Sequence, residues 1–390
     1  MTTVPVGTPP LAVYVHWPYC ARICPYCDFN VVRDRGQAQQ AALAKAIVAD
    51  LRGQAALIGP RRLVSIFLGG GTPSLMDPDW AAEILAEARA IWPSDGEIEI
   101  TLEANPTDAE AGRFKAFAMA GVNRLSLGVQ SLDDDALRFL GRNHDAAEAR
   151  RAVDLAADLF PRLSIDLIYA LPGQLLADWT AALQEAARLG AEHISAYQLT
   201  IEPGTPFDRA VARDRFRPLD DDLAASLYEA AQAVLAEAGF DAYEVSNHAR
   251  TPAARSRHNL AYWRGEDYLG AGPGAHGRLT TGDGRLATET DPNIAGYIAR
   301  IEGGGGSGLA ALDLLRPRDV AIERLLMGLR TDEGVAWDEV SVLGLTPGTP
   351  ALGAWVQAGL IGDDTNRLIA TRAGRAVLNT LVASLVPSEP

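Results

Sequence analysis

The chain has 390 residues, 48% of them hydrophobic and 22% charged, which excludes disorder, collagen and coiled coil as descriptions of the whole chain. Its formal net charge of -15 at pH 7 repels phosphate backbones, so nucleic acid is not expected as a main partner. No stretch approaches the roughly 20 apolar residues of a membrane span, and residues 1–10 lack the basic and apolar parts of a secretory signal. We therefore expect a cytoplasmic protein.

The first half alternates short β-branched runs with longer Ala-rich amphipathic segments, which is the pattern of repeated βα units around a parallel sheet. Strands are predicted near residues 13–16, 64–68, 97–102, 124–129, 163–168 and 193–199. Helices between them are predicted at 37–58, 77–91, 107–120, 146–159 and 178–189. Six units make three quarters of an eight-unit barrel, whose active face is expected at the C-terminal ends of its strands.

The regular alternation of predicted strands and helices ends after residue 206. The remaining predictions are a helix at 219–238, a short strand at 243–246, a loop-rich region at 250–284, a flexible Gly-rich connection at 303–308, helices at 318–329, 352–358 and 372–385, and a strand at 368–370. We expect three parts: a partial barrel over 1–215, an extension over 216–308, and a mostly helical, winged-helix-like cap over 309–390. Because the chain is acidic, the cap is interpreted as a packing domain.

All three cysteines fall in one short segment, at Cys20, Cys24 and Cys27, directly after the first predicted strand. An odd, tight cluster favours a metal over disulfides. Three thiolates at this spacing can hold a four-iron, four-sulfur cluster and leave one iron open. The alternatives are a structural zinc with His16 as fourth ligand and three inert buried cysteines.

The segment from Tyr14 through Cys20 to Phe29, with the aromatic Tyr26 before the third cysteine, resembles the signature of radical S-adenosylmethionine (SAM) proteins. The resemblance implies a radical SAM partial barrel of the (β/α)6 type with a [4Fe-4S] cluster, and makes Tyr14 and Tyr26 cofactor-binding candidates. In that superfamily the amine and carboxylate of SAM chelate the open iron, and one electron then breaks a carbon–sulfur bond.

A glycine run follows the second predicted strand and includes Gly70, Gly71 and Thr72. Glycines let the backbone approach a ligand closely, although such runs also occur in tight βα turns. Behind a three-cysteine loop, the run resembles the element that binds the SAM amino group.

Later strands add Glu103, Gln130, Arg142 and Asp166 to the SAM-binding candidates. A charge in an apolar strand is costly to bury without a partner, so Asp166 needs either a ligand or an internal ion pair with Arg124 or Arg142. These positions match the SAM-binding pattern of the coproporphyrinogen-dehydrogenase-like branch. There Gln130 and Asp166 would hold ribose hydroxyls, and the fork of Arg142 would suit a carboxylate.

The matching motifs, from Tyr14 to about Gly277, resemble two families in that branch: the oxygen-independent coproporphyrinogen III oxidases and the HemW haem chaperones. The oxidases carry a further cysteine two residues after the third, where this chain has Phe29, and a longer segment before the first strand. The run His258-Asn259-Leu260-Ala261-Tyr262-Trp263 matches a HemW motif. The favoured function is therefore haem chaperone, with the oxidase as the alternative and SAM cleavage left open.

This resemblance implies haem as a ligand and haem-receiving apoproteins, respiratory ones among them, as partners, and is consistent with a homodimer. His258 is predicted as an axial haem ligand or attachment residue, with a structural histidine as the alternative. Arg255, Arg257 and Arg264 are predicted to pair with haem propionates, against the alternative of solvated surface arginines. His276 is a second pocket candidate, against a simple turn.

Overall fold

The computed structural model describes residues 7–34 and 36–386, and its first half is a series of βα units. The strands of this half are β1 Pro10–Trp17, β2 Tyr19–Cys20, β3 Val32–Arg33, β4 Arg62–Gly70, β5 Glu99–Ala104, β6 Arg124–Gln130, β7 Arg162–Tyr169 and β8 His193–Gln198. Its helices are α1 Gln37–Ile58, α2 Pro78–Ile91, α3 Asp108–Ala111, α4 Phe114–Ala120, α5 Asp134–Phe139, α6 Ala146–Leu159 and α7 Leu176–Ala186. All six predicted strands are confirmed.

Local chemistry accounts for these elements. Strands β4 to β8 are apolar runs buried over most of their length, as parallel strands covered on both faces require. Asp77 caps α2, and Asp145 forms a capping box with Glu148 at the start of α6. The single helix predicted at 107–120 is wrong, because a turn at Gly112 divides it into α3 and α4.

The second half contributes more secondary structure than predicted. Its elements are α8 Pro206–Ala212, α9 Asp221–Glu237, β9 Asp241–Ala242, β10 Asn247–Ala249, α10 Arg257–Trp263, β11 Asp267–Ala271, β12 His276–Thr281, β13 Gly284–Thr290, α11 Ile294–Arg300 and β14 Leu309–Leu314. The strand predicted at 243–246 is wrong, since β9 and β10 flank that segment and Glu244 instead bridges to Thr331.

Within the described residues, the main sheet has twelve strands in the order β14-β13-β12-β11-β1-β4-β5-β6-β7-β8-β10-β9. The run from β11 to β8 is parallel, and β11 pairs directly with β1. The loop-rich region predicted at 250–284 is therefore wrong, because it supplies α10 and strands beside the middle of the sheet. Its strands are short and contain glycine, which hides their periodicity.

The Gly-rich segment predicted as flexible is anchored. The backbone amide of Gly308 donates to the buried Asp50 carboxylate at 2.7 Å, and the Tyr297 hydroxyl donates to the same group at 2.7 Å. A Cβ on Gly53 would lie 1.6 Å from the Gly306 carbonyl oxygen, so helix α1 and this segment are in close contact. These contacts hold the extension against the first βα unit.

The C-terminal part follows with α12 Pro317–Gly328, β15 Val335–Ala336, α13 Trp337–Val340, α14 Pro350–Gln357, β16 Arg367–Leu368, α15 Arg372–Ala376 and α16 Leu378–Leu385. It has its own hydrophobic core, which begins at Ala321, whereas β14 still belongs to the main sheet. Strands β15 and β16 form a two-stranded antiparallel sheet, with α13 and α14 between them. The helix predicted at 372–385 is two helices.

No helix within 7–34 and 36–386 is long and apolar enough to cross a membrane. The expectation about a secretory signal concerns residues 1–10, of which residues 1–6 lie outside the described residues.

Candidate functional site

The three cysteines lie at the carboxyl end of the parallel strands, in the segment that follows β1. Cys20 is on the short strand β2, and the Cys27 amide donates to the Cys24 carbonyl at 3.2 Å. All three side chains line one cavity of about 550 Å³. We call it the cysteine cavity.

The glycine run at the end of β4 packs directly against the cysteine loop. A Cβ on Gly70, where φ is +109°, would lie 2.5 Å from the His16 ring, and one on Gly71 would lie 2.6 Å from the Tyr19 carbonyl oxygen. The amide of Thr72 donates to that same carbonyl at 2.8 Å. Glycine is therefore required here for close packing, and this packing brings β4 to the cavity wall.

The predicted cofactor-binding residues come from separate strand ends and meet at the same cavity. Its wall includes Tyr26, Gly70, Gly71, Thr72, Glu103, Gln130, Arg142 and Asp166. Two candidates lie elsewhere: Tyr14 lines a neighbouring cavity, and His258 lines neither. Parallel strands have their carboxyl ends at the same edge of the sheet, so residues at these ends lie close together, as expected for barrel-like α/β folds.

Glu103 provides a proton-binding group in this wall. The Gly70 amide donates to its Oε2 at 3.0 Å. Burial raises the pKa of the Glu103 carboxyl to about 8, and the negative charge of Asp166 adds to the effect. At neutral pH the carboxyl is therefore mostly protonated.

Gln130 ends β6 in a strained conformation. Its φ of 65° lies in the left-handed region, which is uncommon for residues other than glycine. Such strain is found most often at functional sites, where the surrounding structure holds it in place. The Gln130 side chain lies beside Gly128, where a Cβ would be 2.8 Å from the Gln130 amide nitrogen.

Arg142 connects the cysteine loop to two strands. Its guanidinium donates to the Gly128 carbonyl at 3.1 Å and to the Asn105 side chain, and Nη1 lies 3.2 Å from Cys24 Sγ. The Tyr26 hydroxyl is 3.5 Å from the same nitrogen. Arg142 thus places positive charge next to one of the three thiols.

Asp166 is held by hydroxyl groups. Ser126 Oγ donates to Asp166 Oδ2 at 2.9 Å, and a hydrogen bond from Ser195 partly offsets the rise in the Asp166 pKa that burial causes. The ion-pair alternative is not formed among the described residues, since Arg124 instead lies 3.5 Å from Glu99 and donates to Ser164. Asp166 therefore keeps acceptor capacity at the cavity wall.

Unsatisfied atoms test whether this cavity suits a ligand. Thr101 Oγ1, Arg142 Nε and His193 Nδ1 are buried in its wall without a hydrogen-bond partner in the described part of the chain. Buried polar groups are nearly always paired in native proteins, so a polar ligand fits here. Burial raises the pKa of the Cys20 thiol to about 11, with nearby thiolate charge adding to the rise, and a cationic cluster would offset that cost.

The zinc alternative is less well supported. Within 7–34 and 36–386, no three His, Cys, Asp or Glu side chains converge on a point where one metal ion could bind. His16 is also occupied, with Nδ1 at 3.1 Å from the Tyr14 hydroxyl and Nε2 at 2.8 Å from the Asn30 carbonyl. An iron–sulfur cube binds each cysteine through a different iron and needs no such convergence.

A second cavity of about 460 Å³ adjoins the first and shares Phe29, Gly70 and Glu103 with it. We call it the aromatic cavity, because Tyr14, Tyr262, Trp263 and Tyr268 line it together with His276. Tyr262 and Tyr268 meet edge to face, with ring centroids 4.3 Å apart.

His258 has a different environment from the one expected of an axial ligand. It is 1% exposed; its Nδ1 lies 3.0 Å from Ser65 Oγ and its Nε2 lies 2.8 Å from the Tyr262 hydroxyl. Burial lowers the pKa of the imidazole to about 3. Both nitrogens are engaged, so in this conformation neither can reach a haem iron.

The arginines expected to pair with propionates are also engaged. Arg255 pairs with Asp332 at 2.7 Å, and Arg264 pairs with Glu333 at 2.5 Å. Arg257 donates to the Glu97 carbonyl at 2.8 Å. These contacts bind α10 to neighbouring parts of the fold and leave no free basic cluster around His258.

Sequence reasoning missed several polar residues of the cysteine cavity. Asn105 Nδ2 donates to Thr72 Oγ1 at 3.2 Å and joins that threonine to Arg142, while Ser126 and Ser195 support Asp166. The signal that could have found the serines is their position beside Asp166 in neighbouring apolar strands, because a buried carboxylate needs hydrogen-bond donors.

Residues 14–186 match the family model of the Radical SAM superfamily. The mitochondrial Radical S-adenosyl methionine domain-containing protein 1 of Bos taurus is 40% identical over 97% of this chain and 88% of that protein. Heme chaperone HemW of Mycobacterium tuberculosis (strain ATCC 25618 / H37Rv) is 34% identical over 98% of this chain and 96% of that protein. HemW of Escherichia coli (strain K12) is 42% identical over 73% of this chain and 74% of its own length.

Among solved structures, the coproporphyrinogen III oxidase HemN from Escherichia coli superposes with a TM-score of 0.80. The match covers 98% of this chain and 91% of that one, at 20% sequence identity. It confirms the predicted α/β fold with its additional C-terminal helices.

Proposed function

Because the chain belongs to the radical SAM superfamily, in the family related to HemN and HemW, we propose that it is a haem chaperone that binds haem and delivers it to haem proteins. The observation that carries the proposal is the similarity to Heme chaperone HemW along 98% of the chain. The likeness to HemN concerns the fold, which both functions share, so it does not favour oxidase activity.

The proposal includes a cluster held by Cys20, Cys24 and Cys27, with SAM in the same cavity. When bound, such a cluster would supply an open iron that SAM can chelate and an electron that can cleave SAM. The residues of this chain would orient the ligand. Arg142 suits a carboxylate, and Asp166, supported by two serines, suits hydroxyl groups.

The proposal also covers location and partners. A cytoplasmic location follows from the cysteine pattern, and haem-receiving apoproteins and a homodimer follow from family resemblance alone. Similarity to HemW, which is named a haem chaperone, supports haem as the cargo.

One experiment separates the two functions. We expect the anaerobically reconstituted protein to bind haem in a spectroscopic titration, and to produce no protoporphyrinogen IX above background from coproporphyrinogen III with SAM and a reductant. Both measurements use the same sample, whose iron, sulfide and SAM binding are measured first, so that a missing cluster cannot explain an absence of turnover. Turnover above background would replace the chaperone with the oxidase, and failure to bind haem would exclude the chaperone.

A second prediction concerns SAM binding. We expect Asp166→Asn to weaken SAM binding to the reconstituted protein about 10- to 100-fold. The substitution replaces the carboxylate by a neutral amide, and a hydrogen bond to a charged group is worth about 1.5–3 kcal/mol. The substitution keeps the shape of the side chain, and Asp166 lies on a different strand from the thiols, so iron content should not change. The measurement is equilibrium binding of radiolabelled SAM.

Asp178→Asn serves as the control, since Asp178 is exposed on α7, away from the cysteine cavity. Equal SAM affinity in Asp166→Asn, Asp178→Asn and the unmodified protein would make Asp166 a structural residue of the strand.

A further inference from the structure

The histidines of this chain differ in the solvent exposure of their side chains. Five of them are nearly buried, each at most 6% exposed: His16, His144, His193, His248 and His258. None of these five is accessible enough to contact a large ligand. All six histidines lie within the described residues, and His276 is the one whose side chain is exposed. Within the described residues, no group forms a hydrogen bond with the His276 ring. An axial ligand needs a reachable ring nitrogen, and His276 offers one.

The position of His276 is defined by the sheet. It begins β12, which pairs with β13 through His276 and Glu289. Just before it, the Ala275 amide donates to Thr290 Oγ1 at 2.8 Å, and a Cβ on Gly274 would lie 2.6 Å from the Asn30 side chain. A rigid turn therefore carries the imidazole to the wall of the aromatic cavity.

The shape and lining of the aromatic cavity suit a flat, apolar ring. Its volume of about 460 Å³ lies within the range of about 300–1,000 Å³ in which pockets enclose small ligands. Tyr262, Trp263, Tyr268, Phe29 and Met327 supply aromatic and thioether surface. A macrocycle with two carboxylates would need such surface together with basic groups.

Basic groups are present in the same wall. Arg278, Arg285 and Arg324 line the cavity, within a chain whose net charge is -15. Each of them is ion-paired in this structure: Arg278 with the partly exposed Glu323 at 2.7 Å, Arg285 with Asp267 at 3.2 Å, and Arg324 with Glu339 at 2.6 Å. A propionate would bind by replacing a carboxylate partner such as Glu323, which also lines the cavity and whose contact with Arg278 has the forked geometry that a propionate can make.

We infer that haem binds in the aromatic cavity with His276 as its axial ligand. The inference rests on the proposed haem-binding function and locates the haem-binding site in the fold. The cavity shares Phe29, Gly70 and Glu103 with the cysteine cavity, so haem lies next to the SAM-binding residues and does not overlap the thiols.

His258 then becomes a positioning residue for this cavity. His258 and Tyr262 are four residues apart on α10 and share a face of the helix. The 2.8 Å contact between His258 Nε2 and the Tyr262 hydroxyl fixes the tyrosine ring against the aromatic cavity. Tyr262 thus contributes to the aromatic cavity by lining it, and His258 contributes by orienting Tyr262.

The test is a haem titration of His276→Ala in the full, reconstituted protein. We expect haem affinity to fall about tenfold or more, equivalent to about 1.4 kcal/mol or more, and the Soret band to shift because the axial nitrogen is lost. Because His276 is exposed, the fold should be kept, and unchanged iron content and SAM binding would verify this. Added imidazole should restore the spectrum of the unmodified protein by occupying the vacated position.

His258→Gln is the matched comparison, since it changes the other candidate histidine. We expect it to retain the axially ligated Soret band, with at most a weaker affinity. The inference is overturned if His276→Ala binds haem with unchanged affinity and spectrum, or if His258→Gln alone loses the ligated band. In either case the proposed function stands, whereas absence of haem binding in the unmodified protein would exclude the function itself.

Discussion

Replacing Cys24 with alanine is expected to abolish nearly all iron and sulfide binding on anaerobic reconstitution, together with the brown charge-transfer absorption. Two cysteines would then remain for a cluster that uses three, and the variant also loses the sulfur that lies 3.2 Å from Arg142 Nη1. The thiolates and the metal stabilise one another, so removal of one ligand should affect the whole cluster. The measurements are iron and acid-labile sulfide per chain and the visible absorption spectrum.

Ile23→Ala provides the control within the same loop, because it alters a partly exposed neighbour and leaves all three thiols in place. It should bind iron as the unmodified protein does. Haem titration of Cys24→Ala should still show binding, since the aromatic cavity contains none of the cysteines. Full iron content in Cys24→Ala, or zinc in place of iron in the unmodified protein, would contradict the cluster assignment.

The central strands could be predicted from the sequence because each is a short apolar run bounded by polar turns. Strand β7, for example, is buried along most of its length; its charged residues are Arg162 at its first position and Asp166 in its interior. The same logic placed the site, since parallel strands end at one edge and their terminal polar residues must meet there. Cys20, Glu103, Gln130 and Asp166 accordingly line one cavity.

The extension could not be predicted in this way. Strand β11 owes its place beside β1 to pairing with a strand more than 200 residues earlier in the chain, and local periodicity carries no information about that contact. Motif context also favoured His258 over His276, but burial depends on tertiary packing. His258 lies under Ser65 and Tyr262, whereas His276 is exposed at the start of a strand.

The buried state of His258 predicts a pH-dependent contribution to stability. We expect His258→Ala to lower the free energy of unfolding by about 2–4 kcal/mol at pH 7.5, because it leaves a cavity and removes the partners of Ser65 and Tyr262. Burial lowers the pKa of this imidazole to about 3, against about 6.5 in an unfolded chain. Between these values the unfolded state takes up a proton that the folded state excludes, so the unmodified protein loses stability as the pH falls.

The alanine variant lacks this proton uptake, and its disadvantage should therefore shrink by about 1.4 kcal/mol per pH unit below about pH 6. Urea unfolding of both proteins between pH 7.5 and 5 measures the difference. His276→Ala is the control, because an exposed histidine should change stability by no more than about 0.5 kcal/mol at any of these pH values. If the stability curves of His258→Ala and the unmodified protein stay parallel down to pH 5, His258 takes up its proton over the same pH range in the folded and unfolded states, and the hydrogen bonds assigned to its two ring nitrogens must be different.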